Sequence, residues 1–260
     1  METSIFPKYE YRGISHPQKT ILIAVSKFSE GFLRFAPRTI RNYPSHGVDH
    51  SVNIIRMINE FTEKWEITLS KNERFILYSA AWLHDIGCVK NRSPHNTISA
   101  SILLRNESIT NLFTGLDNDL LADVQDVIES HSSTYNINDI PVKRGAVRVR
   151  LISAVFRLID ACEITNFKCP APVFFEIKDD LKDEHGAVDK EAIQFWKGHM
   201  NIKYLGFAKP NIAITVDSPR QSRRIVNRLK NEIVSIQEIF RENGIDVPII
   251  VVRAREAGID

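Results

Sequence analysis

The sequence is poor in several features that mark specialised classes of protein. It has three cysteines among 260 residues, Cys88, Cys162 and Cys169, and none of them belongs to a CxxC pair. A disulfide framework and a zinc knuckle are therefore not predicted, and a reducing, cytoplasmic location is expected. No apolar run approaches the roughly 20 residues that cross a bilayer, and the N-terminus lacks a signal-peptide pattern, so no membrane association is expected.

The chain also lacks a large excess of either charge, an internal repeat and a Gly/Ser-rich linker. Its net charge is +2 at pH 7, with 25% charged and 43% hydrophobic residues. This composition is typical of a soluble globular protein. The small net charge does not predict nucleic acid or an anionic membrane as a partner. A chain of this length forms one large domain, or a main domain with a small appendage.

Hydrophobic periodicity predicts helices through most of the first two thirds of the chain. The pair Ser70 and Glu73 has the spacing of a capping box at the start of one of them. The predicted helices span 48–65, 70–86, 97–104, 119–130 and 147–164. Because their connections are short, we predict an all-α region.

The pattern changes after about residue 200. A β-branched run at 212–216 predicts a strand, and Pro219 follows it near the start of a predicted helix. A second strand is predicted at 247–252. We therefore predict a mainly α fold, with a helical bundle over residues 1–200 and a small α+β module over residues 201–260.

Two strands alone are marginally stable, so the module needs further partners. We expect either a third strand near residues 202–207 or packing on the helical region, on a second copy of the chain or on a partner domain. Because the chain ends soon after a strand, a longer polypeptide is a further expectation.

Two good metal ligands, His84 and Asp85, lie side by side at the end of an apolar run. Gly87 follows closely and predicts the end of the helix. A buried carboxylate needs a partner, and a divalent cation is one. Such a pair also occurs on surfaces, but Asp160 lies in the apolar part of another predicted helix, where Asp is rarely buried unless paired.

These residues lie in short motifs that resemble those of the HD-domain metal-dependent phosphohydrolase superfamily. The motifs are HGxxHS at 46–51, LHDIG at 83–87, SHS at 130–132 and RLxDA at 157–161. They occur in the order of that superfamily, and the resemblance covers roughly residues 40–165.

The resemblance implies a divalent metal in the core of a helical bundle. Its ligands would be His50, His84, Asp85 and Asp160. His95 and His131 resemble extra histidines that some members use for a second metal and others use to contact phosphate or transfer a proton. Imidazole and carboxylate ligands suit Mn, Fe, Co, Ni, Zn or Mg, as one ion or two.

Cations near these ligands would stabilise the charge of a phosphate. Lys90 and Arg92 follow the predicted helix end, and Arg157 precedes Asp160. Lys90 and Arg92 are equally consistent with solvated loop charges. Either His95 or His131 would donate a proton to the leaving oxygen, although His131 also suits a simple contact with a helix dipole.

Other histidines and basic residues have less context. His16, His185 and His199 lie in no motif and are predicted at the surface. The most basic stretch is formed by Arg220, Arg223, Arg224, Arg228 and Lys230. A solvated helix face is the simpler interpretation of this stretch, and a site for an acidic ligand, nucleic acid or a partner is the alternative.

The function implied by the resemblance is hydrolysis of a phosphomonoester or phosphodiester bond. The small phosphorylated substrate that the resemblance implies is a nucleotide. The chain lacks the HDxxED extension of guanosine tetraphosphate hydrolases and the GYP signature of cyclic-di-GMP phosphodiesterases. Cys88 replaces the histidine that deoxynucleotide triphosphohydrolases have three residues after the HD pair. The sequence therefore does not favour any of these three activities. The alternative is a non-catalytic HD-type nucleotide sensor or scaffold whose C-terminal module binds a protein partner.

Overall fold

A computed structural model describes residues 10–36, 42, 47–116 and 119–255, which are mainly helical. The α-helices are α1 (His16–Leu33), α2 (Val48–Lys64), α3 (Lys71–Leu83), α4 (His95–Arg105), α5 (Glu107–Thr110), α6 (Asp119–Ser130), α7 (Val149–Cys162), α8 (Ala171–Ile177), α9 (Lys190–Met200) and α10 (Pro219–Glu242). Short 3-10 helices span Ile86–Val89, Asn111–Phe113 and Ile137–Asp139. The strands are β1 (Ile202–Ala208), β2 (Asn211–Val216) and β3 (Ile249–Ala254).

The predicted mainly α fold is confirmed. Each of the five helices predicted between residues 48 and 164 is present, with ends that differ by a few residues. In the described ranges, no helix is both long enough and apolar enough to span a bilayer.

The helices pack into a bundle around α3. This helix contacts α1, α2, α6 and α7, while α4 packs on α6 and on the 3-10 turn after α3. α3 is buried along nearly its whole length, including Phe75, Ile76, Leu77 and Tyr78. A helix buried on all sides must be surrounded by other elements, which explains why it forms the centre of the bundle.

The start of α3 is joined to the start of α7 by one carboxylate. Ser70 Oγ accepts a hydrogen bond from the Glu73 backbone N–H, and Glu73 Oε2 accepts one from the Ser70 N–H at 2.8 Å, so the predicted capping box is present. Arg148, which precedes α7, donates from Nε to Glu73 Oε1 and from Nη2 to Oε2, both at 2.8 Å. This bidentate pair fixes the two helix ends relative to each other.

The C-terminal sheet has three strands in the order β1-β2-β3. β1 pairs antiparallel with β2, β2 pairs parallel with β3, and α10 is the crossover between the parallel strands. The expected third strand near residues 202–207 is therefore present as β1.

The sheet and α10 also pack on the helical bundle. The ring of Phe207 lies 5.3 Å from that of Phe61 and 6.2 Å from that of Trp65, measured between centroids. α10 packs against α7. Side chains of both parts belong to one continuous hydrophobic core. The module therefore completes the core of the bundle, while the boundary at residue 200 stays a prediction.

The Glu73–Arg148 pair predicts an acid-sensitive contribution to stability. Burial alone would raise the pKa of Glu73, but hydrogen bonds from Arg148 and from the cap outweigh it and lower that pKa. The stabilisation is therefore present above the unfolded pKa of about 4.3 and is lost as pH falls through the folded pKa. Glu73→Gln should lower the free energy of unfolding at pH 7 by about 1–3 kcal/mol, measured by urea denaturation.

The matched control is Glu107→Gln, because Glu107 lies in the first turn of α5 with an exposed side chain. Its unfolding free energy should stay within about 0.5 kcal/mol of the parent. Equal acid sensitivity of the parent and Glu73→Gln would contradict the assignment.

Candidate metal centre

Three helices of the bundle bring the four predicted ligands together. His50 lies in the first turn of α2, His84 and Asp85 directly follow α3, and Asp160 lies near the end of α7. His50, His84 and Asp85 are 1–4% exposed. The Asp160 side chain retains 25% of its exposure, so the group is reached from the Asp160 side.

The ligand atoms converge on a single point. His50 Nε2 lies 3.1 Å from His84 Nε2, 3.2 Å from Asp160 Oδ1 and 3.5 Å from Asp85 Oδ2. His84 Nε2 lies 3.3 Å from Asp85 Oδ2 and 3.8 Å from Asp160 Oδ1. Ligands about 2.1 Å from one cation are separated by roughly 3.0–3.4 Å at octahedral and tetrahedral angles. These side chains therefore fit the coordination shell of a divalent metal.

A second pair of histidines faces the other oxygen of Asp85. His95 Nε2 lies 3.4 Å from Asp85 Oδ1 and 2.9 Å from His131 Nε2. Asp85, Cys88 and His95 form a second group of potential ligands beside that of His50, His84 and Asp85. Burial and Asp85 raise the pKa of the Cys88 thiol far above its ordinary value, so Cys88 Sγ stays protonated and donates to Asp85 Oδ1 at 3.6 Å.

Gly87 permits this second pair to form. A Cβ at Gly87 would lie 2.3 Å from the His95 carbonyl oxygen and 2.7 Å from the Ser99 nitrogen. Ser99 Oγ accepts from the Gly87 N–H at 2.7 Å and donates to the His84 carbonyl at 2.6 Å. Gly87 is not the residue that ends the helix, although the sequence predicts it. α3 already ends at Leu83, and Gly87 lies within the 3-10 turn that follows. Its role is to let α4 approach.

Each of the four imidazoles is oriented through its Nδ1 atom. The Nδ1 atoms of His84, His95 and His131 face the carbonyl oxygens of Ala80, Arg92 and Ile128, and Nδ1 of His50 faces Glu163 Oε2 at 3.3 Å. Carbonyl oxygens only accept, so each Nδ1 that faces one carries the proton. A neutral ring then presents a lone pair at Nε2, which is the arrangement of histidine metal ligands.

The His95–His131 pair therefore requires a positive charge between its rings. Burial lowers the pKa of His131 to about 3, with further lowering by His84 and His95, so His131 is neutral. A neutral His95 would direct a second lone pair at that of His131 across 2.9 Å. Only a proton or a metal cation between the two nitrogens makes this contact favourable.

Carboxylates give the His50 end of the site a strong preference for a cation. Burial and Lys168 lower the pKa of His50, but hydrogen bonds to Asp160 and Glu163 outweigh them and raise it to about 9. The pKa of Glu163 is lowered to about 2: burial opposes this shift, and Lys168 and His50 outweigh burial. Burial alone would raise the pKa of Asp160, but the hydrogen bond with His50 and the neighbouring histidines outweigh it and lower that pKa. Both carboxylates are therefore ionised and stabilise positive charge at His50.

A cleft with a volume of about 130 Å³ opens over these residues. His95, His131 and Arg92 line it together with His50, Asp85 and Asp160. In the described part of the chain, the exposed Lys90 is not among the residues that line the cleft. The structure therefore brings together every predicted site residue except Lys90. His46, the first residue of the HGxxHS motif and a candidate for a contact with the substrate or with a ligand residue, lies outside the described residues.

Arg157 lines the cleft but is committed to the backbone. Its guanidinium donates to the carbonyl oxygens of Ser130, Ser132 and Tyr135 at 2.7, 3.0 and 2.8 Å. These contacts hold the segment that follows His131. Arg157 is thus a positioning residue for the loop rather than a cation aimed at a phosphate.

Three further residues of the cleft are not predicted from the sequence. Lys168 is 9% exposed and pairs with Glu163 Oε2 at 3.0 Å. The prediction of His199 at the surface is wrong, because it is buried against the cleft and its Nδ1 faces the Ile164 carbonyl. Glu232 of α10 also lines the cleft, and burial raises its pKa against the opposing effect of Arg157 and Arg228.

Of these three residues, only Glu232 stands out in the sequence pattern. It lies in the apolar stripe of α10 between Leu229 and Ile236, the same anomaly that identified Asp160. Lys168 follows α7 in an irregular segment, and His199 lies near the end of an amphipathic helix, where the sequence pattern does not show what covers it.

A comparison with protein families agrees with this geometry. The family model HD-CE matches residues 32–241, a range that contains all the candidate ligands and all of α10 except its last residue. The match confirms an HD-type domain and extends well beyond the motifs that end near residue 161. No curated protein matches the chain.

The contact between Glu163 and His50 predicts an effect on metal affinity without direct coordination. Glu163→Gln removes the charge that holds Nδ1 of His50 and leaves Lys168 without its carboxylate partner. We expect metal affinity to fall about 10–100-fold, measured by calorimetric titration with Mn²⁺. Glu176→Gln, at an exposed position of α8, should bind Mn²⁺ as the parent does. Unchanged affinity in Glu163→Gln would refute this role.

Proposed function

The chain belongs to the HD-CE family, and we propose that it is a metal-dependent phosphohydrolase that cleaves a phosphate ester of a nucleotide. The observation that carries the proposal is the convergence of imidazole Nε2 atoms and carboxylate oxygens at the base of a cleft. A purely structural core has no need of such a group, because buried ionised side chains are costly unless they are paired.

The donor set fits one divalent cation held by His50, His84, Asp85 and Asp160. We propose that His95, His131 and the second oxygen of Asp85 hold another. Imidazole and carboxylate ligands suit Mn, Fe, Co, Ni, Zn or Mg. When bound, such ions lower the pKa of a coordinated water and polarise a phosphoryl oxygen.

The residues around the metal centre suit a phosphate. Arg92 lines the cleft and brings positive charge to the region where negative charge develops during phosphoryl transfer, whereas the ammonium of Lys168, which also lines the cleft, is paired with Glu163. The cleft volume of about 130 Å³ is smaller than that of typical ligand pockets, which hold roughly 300–1,000 Å³. It therefore suits a phosphoryl group and its immediate substituents, with the remainder of the substrate outside.

The role of the second histidine pair follows from its orientation. With Nδ1 of His95 and His131 occupied by backbone carbonyls, each ring has only Nε2 available. These two Nε2 atoms face each other, so they are better placed to share a cation than to deliver a proton to a leaving group. We therefore favour metal ligation over proton transfer for both residues.

The central test removes the HD pair. The double variant His84→Ala/Asp85→Ala should bind neither metal and should lose more activity than the roughly 10–100-fold typical of outer-shell changes. Metal content is measured by elemental analysis, and activity by hydrolysis of bis(p-nitrophenyl) phosphate and nucleotides with Mn, Mg, Ni and Co.

The chain offers a matched control in Glu184 and His185, an adjacent pair of the same chemistry with 87% and 81% exposed side chains. Glu184→Ala/His185→Ala should retain the metal content and the activity of the parent. A double variant of the HD pair that still hydrolyses esters would refute the proposed function. Metal and nucleotide binding by the parent without hydrolysis of any ester would favour a sensor or scaffold.

The second metal is tested separately through His95. His95→Ala should reduce the bound metal from about two ions to about one per chain, because the first group of ligands does not include His95. A stoichiometry of one in both the parent and the variant would instead support the proton-transfer role. Stoichiometry is read from elemental analysis after dialysis against a fixed concentration of free Mn²⁺.

A further inference from the structure

A second, larger depression lies beside the metal cleft, between α9 and α10. It has a volume of about 1030 Å³, and we call it the basic groove. Its positive residues are Lys197 of α9 and Arg220, Arg223, Arg224 and Arg228 of α10, all of them exposed. Among the described residues that line it there is no aspartate or glutamate, although the nearby Glu191 pairs with Arg224.

The basic groove is continuous with the metal cleft. Arg228 lines both spaces, and Glu232, one helical turn further along α10, lines the cleft. Because the cleft holds little more than a phosphoryl group, the rest of a bound substrate must extend out of it. Since Arg228 borders both spaces, a substrate that extends from the cleft past this side chain enters the groove.

The spacing of the arginines suits a chain of separated phosphates. Arg220, Arg224 and Arg228 are four residues apart, which places them at intervals of roughly 6 Å along one face of α10. Such intervals resemble the separation of successive phosphates in an extended nucleotide strand and exceed that of adjacent phosphates in a polyphosphate. The N-terminus of α10 also favours an anionic ligand, because a helix N-terminus carries partial positive charge.

The neutral residues of the groove favour nucleotides over bare polyphosphate. Gln194, Gln221, Asn227 and Asn231 line it between the cations. Side-chain amides both donate and accept hydrogen bonds, as the edges of nucleobases do. Gln221 Oε1 already accepts from Asn201 Nδ2. A polyphosphate chain, which has only acceptor oxygens, would still leave the carbonyl groups of Gln194, Asn227 and Asn231 unused.

We propose that the basic groove binds the flanking nucleotides of a single-stranded oligonucleotide whose phosphodiester lies at the metal centre. This inference rests on the proposed function. In the reaction, a water oxygen forms a bond to phosphorus and the ester P–O bond breaks with its electron pair on the leaving oxygen. One proton of the water passes to that oxygen and the other to the solvent, giving a phosphomonoester and an alcohol.

The small net charge of the chain does not conflict with such a ligand. Between residues 218 and 231 there is no acidic residue, and four of the five basic residues line the groove. The positive charge is thus concentrated on one helix, and nucleic-acid binding depends on local charge rather than on the total.

The test measures binding and hydrolysis separately. Binding of a fluorescein-labelled oligonucleotide of about eight residues, as DNA and as RNA, is followed by anisotropy in the His84→Ala/Asp85→Ala background, where turnover is absent. Arg220→Glu/Arg223→Glu should weaken binding at least about tenfold. It should also reduce the slope of log K against log salt by about 0.7 for each phosphate that the variant no longer neutralises.

The matched control is Lys230→Glu/Lys19→Glu, which changes the total charge equally at exposed positions outside the groove. It should bind the oligonucleotide as the parent does. In the active protein, the groove variant should lower kcat/KM for the oligonucleotide at least about tenfold more than for bis(p-nitrophenyl) phosphate.

The outcomes separate this inference from the proposed function. Hydrolysis of bis(p-nitrophenyl) phosphate without groove-dependent oligonucleotide binding would overturn the inference and leave the function intact. Groove-dependent binding without hydrolysis of any ester would overturn the function while the groove remains a nucleotide site. Groove-dependent binding of inorganic polyphosphate but not of the oligonucleotide would overturn the proposed ligand.

Discussion

The rest of the site depends on the burial of one carboxylate, that of Asp85. An ionised carboxylate inside a helical bundle is tolerated only where positive charge or hydrogen-bond donors surround it. Its two oxygens face different histidine pairs, His50 with His84 and His95 with His131. The rings of both pairs are oriented by the backbone carbonyls or the carboxylate that their Nδ1 atoms face. The bundle must therefore hold α2, α3, α4, α6 and α7 in register around a single side chain. The helix that leads to Asp85, α3, is accordingly buried along nearly its whole length.

Much of this arrangement could be predicted from the sequence because it follows local rules. The apolar stripes define the helices, and the Ser70–Glu73 spacing defines a helix start. His84, Asp85 and Asp160 stand out because they lie at a helix end or in an apolar stripe, and the resemblance to HD-domain phosphohydrolases adds His50 to complete the predicted set of ligands. Because two strands alone are marginally stable, the sequence also predicts either a third strand or packing on another part, and the structure has both a third strand and packing on the bundle.

The remaining features depend on contacts between distant segments. Gly87 illustrates this, because its sequence context suggests a helix stop, whereas its function is to accommodate the backbone of α4. Lys168 and His199 reach the site from segments whose position depends on the packing of α9 and α10. The position of α10 itself was not predictable, because its apolar face would suit either a separate module or the bundle. Only the packed structure shows that this helix forms one wall of the cleft.

That wall has a consequence for the order in which the site is built during translation. The residues that converge on Asp85 lie between positions 50 and 160, so the ribosome delivers all of them before it begins α10. Arg228 and Glu232, which line the cleft, are added after them. The potential metal ligands and this wall of the cleft thus come from successive parts of the chain. Because α10 packs on α7 within the same hydrophobic core, the cleft takes its final form only when the C-terminal helix is in place.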